Sequence, residues 1–309
     1  MRTLNVPLPV AKAMARGVLG NILTTRFSWA RQRSLIAGMV KIIPLPPGTE
    51  VEQLTLGGRP ADRVTNGTPT AGIAVLYLHG GGYTTASPAS HRSLASLIAR
   101  DTGAPVYVLD YRLAPEDPFP AGVDDSIAAF VDLVENHGFT PDRIAVAGDS
   151  AGGGLTLAAS RRLIDDRGMR PAALGLLSPW VDPEAVLPGS RDTLLNVPWL
   201  RACAAAYRGS ASTTDPGYAP LHGDLSGLPD TLIQIGTTEL FHPQALRLAA
   251  KIQDAGGDVT LQEFPVLWHV AQLQAVQIKE AAEAVSQFTD FLRERLQPVD
   301  IEPGPGDVA

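Results

Sequence analysis

The stretch "RIAVAGDSAGGGL", residues 143–155, sets a serine between glycines where a run of β-formers gives way to small residues leading into a helix. A tight turn open only to small residues accounts for the glycines. A nucleophile elbow, a strained strand-to-helix turn that holds a serine Oγ clear of a sheet, accounts for the serine as well. The pentapeptide alone does not separate the two. A serine hydroxyl is a weak nucleophile at neutral pH and needs a base that is itself oriented by an acid. Around an elbow these follow in the order serine, acid, histidine. Downstream of Ser150, His242 and His269 lie at plausible strand ends. His242 precedes Pro243 and reads as the start of a helix, with proline in the first turn. His269, in "FPVLWHV", follows the last expected strand and is the expected base. The loop after "TLIQIG" holds no aspartate, and its Glu239 is the expected acid, against the alternative of a solvated loop carboxylate.

A fourth segment completes the chemistry. His79-Gly80-Gly81-Gly82-Tyr83 follows the apolar run "IAVLYL". Three glycines in a row are costly in backbone entropy and offer no side chains, but they free backbone N–H groups to face a ligand. Acyl transfer needs such donors where a tetrahedral intermediate develops negative charge. A phosphate-binding loop is the rival, but the G-x-G-x-x-G spacing and the Lys-Ser/Thr ending are both missing here.

These segments need a scaffold that brings strand ends together. "VEQLTLGG" and "RPADRVTNG" read as a hairpin turning at Gly57-Gly58. Six apolar runs follow: "IAVLYLHG", "PVYVLDYR", "RIAVAGDS", "AALGLLSPW", "TLIQIGTTE" and "VTLQEFPVLWH". Helical patterns such as "SHRSLASLIARDTG" and "AGVDDSIAAFVDLVENHG" separate most of them. Fully apolar strands alternating with amphipathic helices predict an α/β fold, with a mostly parallel sheet covered on both faces. Sites in such folds gather at the carboxyl ends of the strands. Residues 1–45 look helical but precede the sheet. Residues 183–222 are long and Pro/Gly-punctuated, as lids and pocket walls are. The tail at 298–309 reads as disordered.

Composition narrows the class further. A chain of 309 residues that is 45% hydrophobic and 18% charged can bury a large core and is unlike a disordered one. The lone cysteine, Cys203, excludes an intrachain disulfide framework and a cysteine-based metal cluster. The net charge of −7 opposes nucleic-acid binding. Charge is unevenly spread: residues 1–49 hold seven of the 25 basic residues and no acidic one. Residues 50–309 thus carry 18 basic against 32 acidic residues, a formal −14. Lys12 and Arg16 interrupt the apolar run that a secretory signal would need, so the segment reads as part of a mature cytoplasmic protein. No run reaches the roughly 18 apolar residues of a spanning helix.

"HGGGY", "LDYRLAPEDPFPAGVDD", "GDSAGGG", "LLSPWVD" and the closing "WHV" together resemble the bacterial hormone-sensitive-lipase family of α/β-hydrolase esterases, over about residues 70–275. The resemblance implies Ser150 as nucleophile, His269 as base and Glu239 as acid, with Gly81, Gly82 and Ala151 as oxyanion donors. It implies an α/β-hydrolase domain over residues 46–297. Residues 1–45, with an insertion at about 183–222, would form a helical cap. The implied activity is a serine carboxylesterase on short- to medium-chain acyl esters, with a small-molecule ester as substrate, no metal or organic cofactor and no stable membrane insertion. A lactone or amide substrate and a homo-oligomeric state stay open. Plant receptors of similar sequence lack the triad histidine, which this chain has. Where relatives often carry a second carboxylate in the acid loop this chain has Pro243, and Val266 replaces a glycine before the histidine. Asp110, Tyr111, Arg112 and Glu116 are expected to form a hydrogen-bonded corner beneath the glycine loop, which His79 is expected to brace. Tyr83, Trp180 and Trp268 are read either as pocket lining or as core.

Overall fold

The computed structural model describes residues 4–41, 44–185 and 192–296. The expected disordered tail at 298–309 and residues 186–191 of the expected insertion lie outside the described residues. Strands β1 (Thr49–Leu56) and β2 (Arg59–Asn66) form the expected hairpin. Its turn is fastened to the body where the Gly57 N–H donates to Asp132 Oδ2 at 2.7 Å.

The other strands are β3 (Ala74–Leu78), β4 (Val106–Leu109), β5 (Ile144–Asp149), β6 (Leu174–Leu177), β7 (Thr231–Gly236) and β8 (Val259–Phe264). They form one eight-stranded sheet in the order β1-β2-β4-β3-β5-β6-β7-β8. β1–β2 and β2–β4 are antiparallel, and the remaining pairs are parallel. β3 to β7 are buried along their whole length. That burial is why their sequences run apolar without alternation.

Helices α3 (Pro88–Thr102) and α8 (Lys279–Leu296) pack side by side, as do α4 (Ala121–Glu135) and α5 (Ala151–Arg167). Right-handed crossovers that run one way from β3 to β4 and the other way from β4 to β5 put these two pairs on opposite faces. The chain reverses direction at β3, and the carboxyl ends of β3 and β5 are neighbours, with Leu78 paired to Gly148. Loops following these two strands are therefore brought together at the switch point.

Four further α-helices lie among the described residues: α1 (Leu8–Ile22), α2 (Trp29–Val40), α6 (Val197–Arg208) and α7 (His242–Asp254). α6 is capped by Asn196, whose side chain accepts from the Trp199 N–H at 3.0 Å. Residues outside the sheet repeat are tied to one another. Asn196 Nδ2 donates to the Leu23 carbonyl at 2.8 Å, and Trp199 Nε1 donates to Gln32 Oε1 at 2.9 Å. Arg33 on α2 donates to the Thr84 and Ala114 carbonyls at 2.8 Å and pairs with Glu116. The N-terminal helices and α6 thus sit together, anchored just beyond the glycine loop.

Candidate active site

The turn between β5 and α5 shows why small residues surround Ser150. Its φ of 52° and ψ of −119° are strained for a residue with a side chain, at a cost on the order of 1–3 kcal/mol. Neighbouring strands hold it there: the Ser150 N–H donates to the Leu177 carbonyl at 2.8 Å, and the Trp180 N–H donates to the Ser150 carbonyl at 2.9 Å. A Cβ on Gly152 would overlap the Leu78 carbonyl, so the helix can begin this close to β3 only with glycine there.

β7 and β8, beyond β6, supply the partners. His269 Nε2 lies 2.9 Å from Ser150 Oγ, and its Nδ1 lies 2.8 Å from Glu239 Oε2. A carboxylate only accepts, so the proton sits on Nδ1 and the Nε2 lone pair faces the serine. Glu239 is held from behind. Its Oε1 accepts the Gly236 N–H at 2.6 Å and the Ser178 hydroxyl at 2.9 Å. Ser178 in turn accepts the Val270 N–H at 3.2 Å. The loop that carries Pro243 in place of a second carboxylate is steadied instead by Asp192, which accepts the Leu240 N–H at 3.0 Å. Ser150, Glu239 and His269 are each 6% exposed. Burial lowers the pKa of His269, but the hydrogen bond and charge of Glu239, with Asp192 and Asp149 behind them, leave it above the usual histidine value. His242 begins α7 and contacts Glu263 at 2.6 Å. The structure thus brings Ser150, Glu239 and His269 together and leaves His242 aside.

The glycine loop is positioned by Asp149, the residue before the serine. Its Oδ1 accepts the Tyr77 hydroxyl and the Gly80 N–H, both at 3.0 Å. His91 Nε2 approaches the same oxygen at 3.1 Å, without hydrogen-bond alignment. Burial raises the Asp149 pKa, but His91 and these donors outweigh it and hold the carboxyl below its usual range. Beyond Gly80, the N–H groups of Gly81 and Gly82 meet no acceptor among the described residues, and neither does that of Ala151 at the start of α5. Gly82 has a φ of 63°, and a Cβ there would stand 2.8 Å from the Trp199 indole and 2.9 Å from Cys203 Sγ. Replacing Asp149 with alanine would strand the buried Gly80 N–H and Tyr77 hydroxyl, each costing about 1–3 kcal/mol. The expected outcome for Asp149→Ala is a lowered melting temperature, with kcat falling about 10- to 100-fold and KM little changed. Thermal denaturation and steady-state kinetics check it, and a variant as stable and as fast as the parent would remove Asp149 from this role.

His79 lies beside this brace, stacked on Tyr111 at 4.3 Å, with Nδ1 2.7 Å from the Gly80 carbonyl. Burial and the nearby His91 lower its pKa to about 3, so it stays neutral. The expected corner is corrected. Of its four members only Tyr111 reaches the glycine loop, donating to the His79 carbonyl at 2.6 Å. Arg112 pairs instead with Asp125, Glu116 with Arg33, and the Asp110 carbonyl with Arg59. Arg112 and Glu116 thus pair with charges on other elements rather than with one another. Tyr83, Trp180 and Trp268 are all buried. Tyr83 stacks on Tyr207 at 3.7 Å and donates to the Trp180 carbonyl, while Trp180 stacks on Phe241, whose ring meets His269 edge-on at 5.3 Å. Sequence reasoning missed Ser178, Phe241 and the roles of Asp149 and His91. The signal for Asp149 was at hand, since a carboxylate at the buried end of a strand needs donors.

Known proteins agree with this architecture. A family model described as alpha/beta hydrolase fold matches residues 75–273. An acetyl-hydrolase of Streptomyces hygroscopicus is 40% identical over 252 residues, which is 77% of this chain and 84% of that protein. An ethyl acetate hydrolase of Pseudomonas putida is 33% identical over 236 residues, 73% of this chain and 74% of that one. The crystal structure of an esterase from the bacterial hormone-sensitive lipase (HSL) family superposes with a TM-score of 0.87 at 36% identity, over 95% of this chain and 99% of that one. These likenesses make the chain a member of the bacterial hormone-sensitive lipase family of α/β-hydrolases, a carboxylic-ester hydrolase.

Proposed function

We propose that the protein hydrolyses short-chain acyl esters through a Ser150–His269–Glu239 triad and a covalent acyl-enzyme. The observation that carries this reading is the unbroken hydrogen-bonded run from Ser150 through His269 to Glu239, at 2.9 and 2.8 Å. Ser150 Oγ attacks the ester carbonyl carbon while His269 Nε2 takes the hydroxyl proton. The carbonyl oxygen becomes an oxyanion and accepts from the free N–H groups of Gly81, Gly82 and Ala151. Collapse breaks the C–O bond, and the departing alkoxide takes the proton from His269. Water repeats the sequence on the acyl-enzyme, releasing the acid and restoring Ser150. Glu239 stays ionised throughout and stabilises the imidazolium.

Two features favour a short acyl chain. Trp199 and Cys203 of α6 close directly on Gly82, leaving no space there for even a methyl group. The relatives named above include an acetyl-hydrolase and an ethyl acetate hydrolase. Tyr83, Trp180 and Trp268 then serve as packed walls behind the acyl and alcohol sites. p-Nitrophenyl acetate, butyrate and octanoate, with lactones and anilides alongside, test the reading. The expected order is acetate and butyrate well above octanoate, and preferred lactone or anilide turnover would move the substrate class.

The pH dependence follows from His269. It must be neutral to accept the serine proton, and its pKa lies above the ordinary histidine value. The protonated, inactive form therefore persists to higher pH than for a free histidine. kcat/KM is expected to fall as pH drops through that raised value, and to be fully developed above it. A profile of p-nitrophenyl acetate hydrolysis whose acid limb lies below the usual histidine range would contradict the assignment.

A further inference from the structure

Large apolar side chains are not exposed evenly over this molecule. Of the eight that are exposed among the described residues, six lie in the first 45 residues: Leu4, Val10, Met14, Val18, Leu35 and Leu45. Three of them, Val10, Met14 and Val18, recur every fourth residue and so line one stripe of α1. Leu4 is 76% exposed and Met14 61%. This is not the unpacked side of a loose helix. Ala11 and Ala15 of α1 are buried against the core, and the Leu4 and Val6 N–H groups donate to the Val276 and Gln277 carbonyls. The stripe is therefore presented outward by a seated element.

The same segment carries the positive charge. Residues 1–49 hold seven basic residues and no acidic one, against a formal −14 on the rest of the chain. Arg33 is consumed by Glu116 and two carbonyls. Lys12, Arg16, Arg26, Arg31 and Lys41 are exposed, and none has a carboxylate within ion-pair distance among the described residues. On α1 the outward arc runs from Lys12 and Arg16 through the small Ala13 and Gly17 to the Val10–Met14–Val18 stripe, so the cations lie beyond the small residues, roughly 120° or more around the helix from the apolar stripe, and do not interrupt it. No described helix is long and apolar enough to cross a membrane.

An exposed apolar stripe on a segment rich in cations that no carboxylate pairs, joined to a body of opposite charge, matches one kind of surface. An anionic bilayer attracts the cations, accepts the apolar side chains at the headgroup boundary and repels the acidic body, which fixes the orientation. A second copy offers less, because two such segments meeting face to face would oppose like charges. We propose that the outer face of α1, with Leu4 and the cations of residues 12–41, docks this protein on anionic lipid surfaces as a peripheral membrane contact.

Flotation of the full-length protein with vesicles tests this. The expected result is association with phosphatidylcholine vesicles containing phosphatidylglycerol, roughly tenfold weaker binding to phosphatidylcholine alone, and release by high salt. Met14→Asp with Val18→Asp, and separately Arg26→Glu with Arg31→Glu, should each weaken binding about tenfold or more. All four side chains are exposed and none hydrogen-bonds to the glycine loop, Ser150, Glu239 or His269, so hydrolysis of soluble p-nitrophenyl acetate should stay at the parent rate and report an intact fold. Absence of binding to the anionic vesicles, or binding that neither pair of substitutions weakens, overturns the proposal. So does a dimer in sedimentation that Met14→Asp with Val18→Asp dissolves while vesicles stay unbound, which would assign the face to a second copy.

Discussion

Ser150→Ala is expected to lower kcat by about four orders of magnitude or more, as loss of a triad nucleophile does, while the protein stays folded. Stability should change little because the strain at this position belongs to the backbone: alanine has the same Cβ to accommodate at a φ of 52°. The hydrogen bonds that fix the turn run through the Ser150 N–H and carbonyl, not through Oγ. Removing Oγ leaves His269 still oriented by Glu239 at 2.8 Å. Residual turnover should therefore reflect binding and the N–H donors alone. Two measurements check it, steady-state kinetics on p-nitrophenyl acetate and covalent labelling by an organophosphonate followed by mass spectrometry. Label retained on the alanine variant, or ester turnover near the parent rate in protein free of contaminating esterase, would remove Ser150 as nucleophile.

Glu239→Gln should cost about two to four orders of magnitude in kcat, for a reason visible in the donors around the carboxylate. Oε2 faces His269 Nδ1, while Oε1 accepts both the Gly236 N–H and the Ser178 hydroxyl. Glutamine has one acceptor and one donor end. With its amide nitrogen toward His269 it favours the tautomer whose Nε2 carries the proton, leaving nothing to deprotonate the serine. With the nitrogen toward Gly236 it sets donor against donor at 2.6 Å. Neither flip restores the site. His242→Ala, which loses the polar contact of its ring with the exposed Glu263, should stay within about twofold. A larger loss from His242→Ala than from Glu239→Gln would transfer the acid loop's function away from Glu239.

Much of the fold was legible because its rules are local. The Gly57-Gly58 turn, the apolar runs that became β3 to β8 and the helix start at His242-Pro243 each follow from a few adjacent residues. The three site residues were legible for a related reason, since strand ends in a parallel sheet share one edge and chain order assigns the parts. What stayed hidden depends on contacts between distant segments. Nothing near Ser178 announces that it will support Glu239, 61 residues away. Asp149 and Gly80 are 69 apart, and Arg33 and Glu116 are 83 apart. The supposed corner failed for the same cause: Tyr111, Arg112 and Glu116, close in sequence, bond to the His79 carbonyl, Asp125 and Arg33, each on a different segment. Aromatic residues carried the least information, because a ring such as Trp180 reads alike whether it walls a pocket or stiffens what lies behind one.

The contact of Gly82 with Trp199 and Cys203 bears on how such proteins can diverge. Trp199 and Cys203 belong to α6, which Trp199 ties to Gln32 of α2, whereas Ser150, Glu239, His269 and the glycine loop follow β5, β7, β8 and β3. Lineages can therefore exchange the helices outside the sheet repeat and inherit the strand-end residues intact. At Gly82 the two inheritances touch: a bulkier residue at 199 or 203 presses on the glycine loop, and a smaller one leaves that loop less closely packed. Substitutions at these three positions should accordingly change together, or not at all, while their neighbours drift freely.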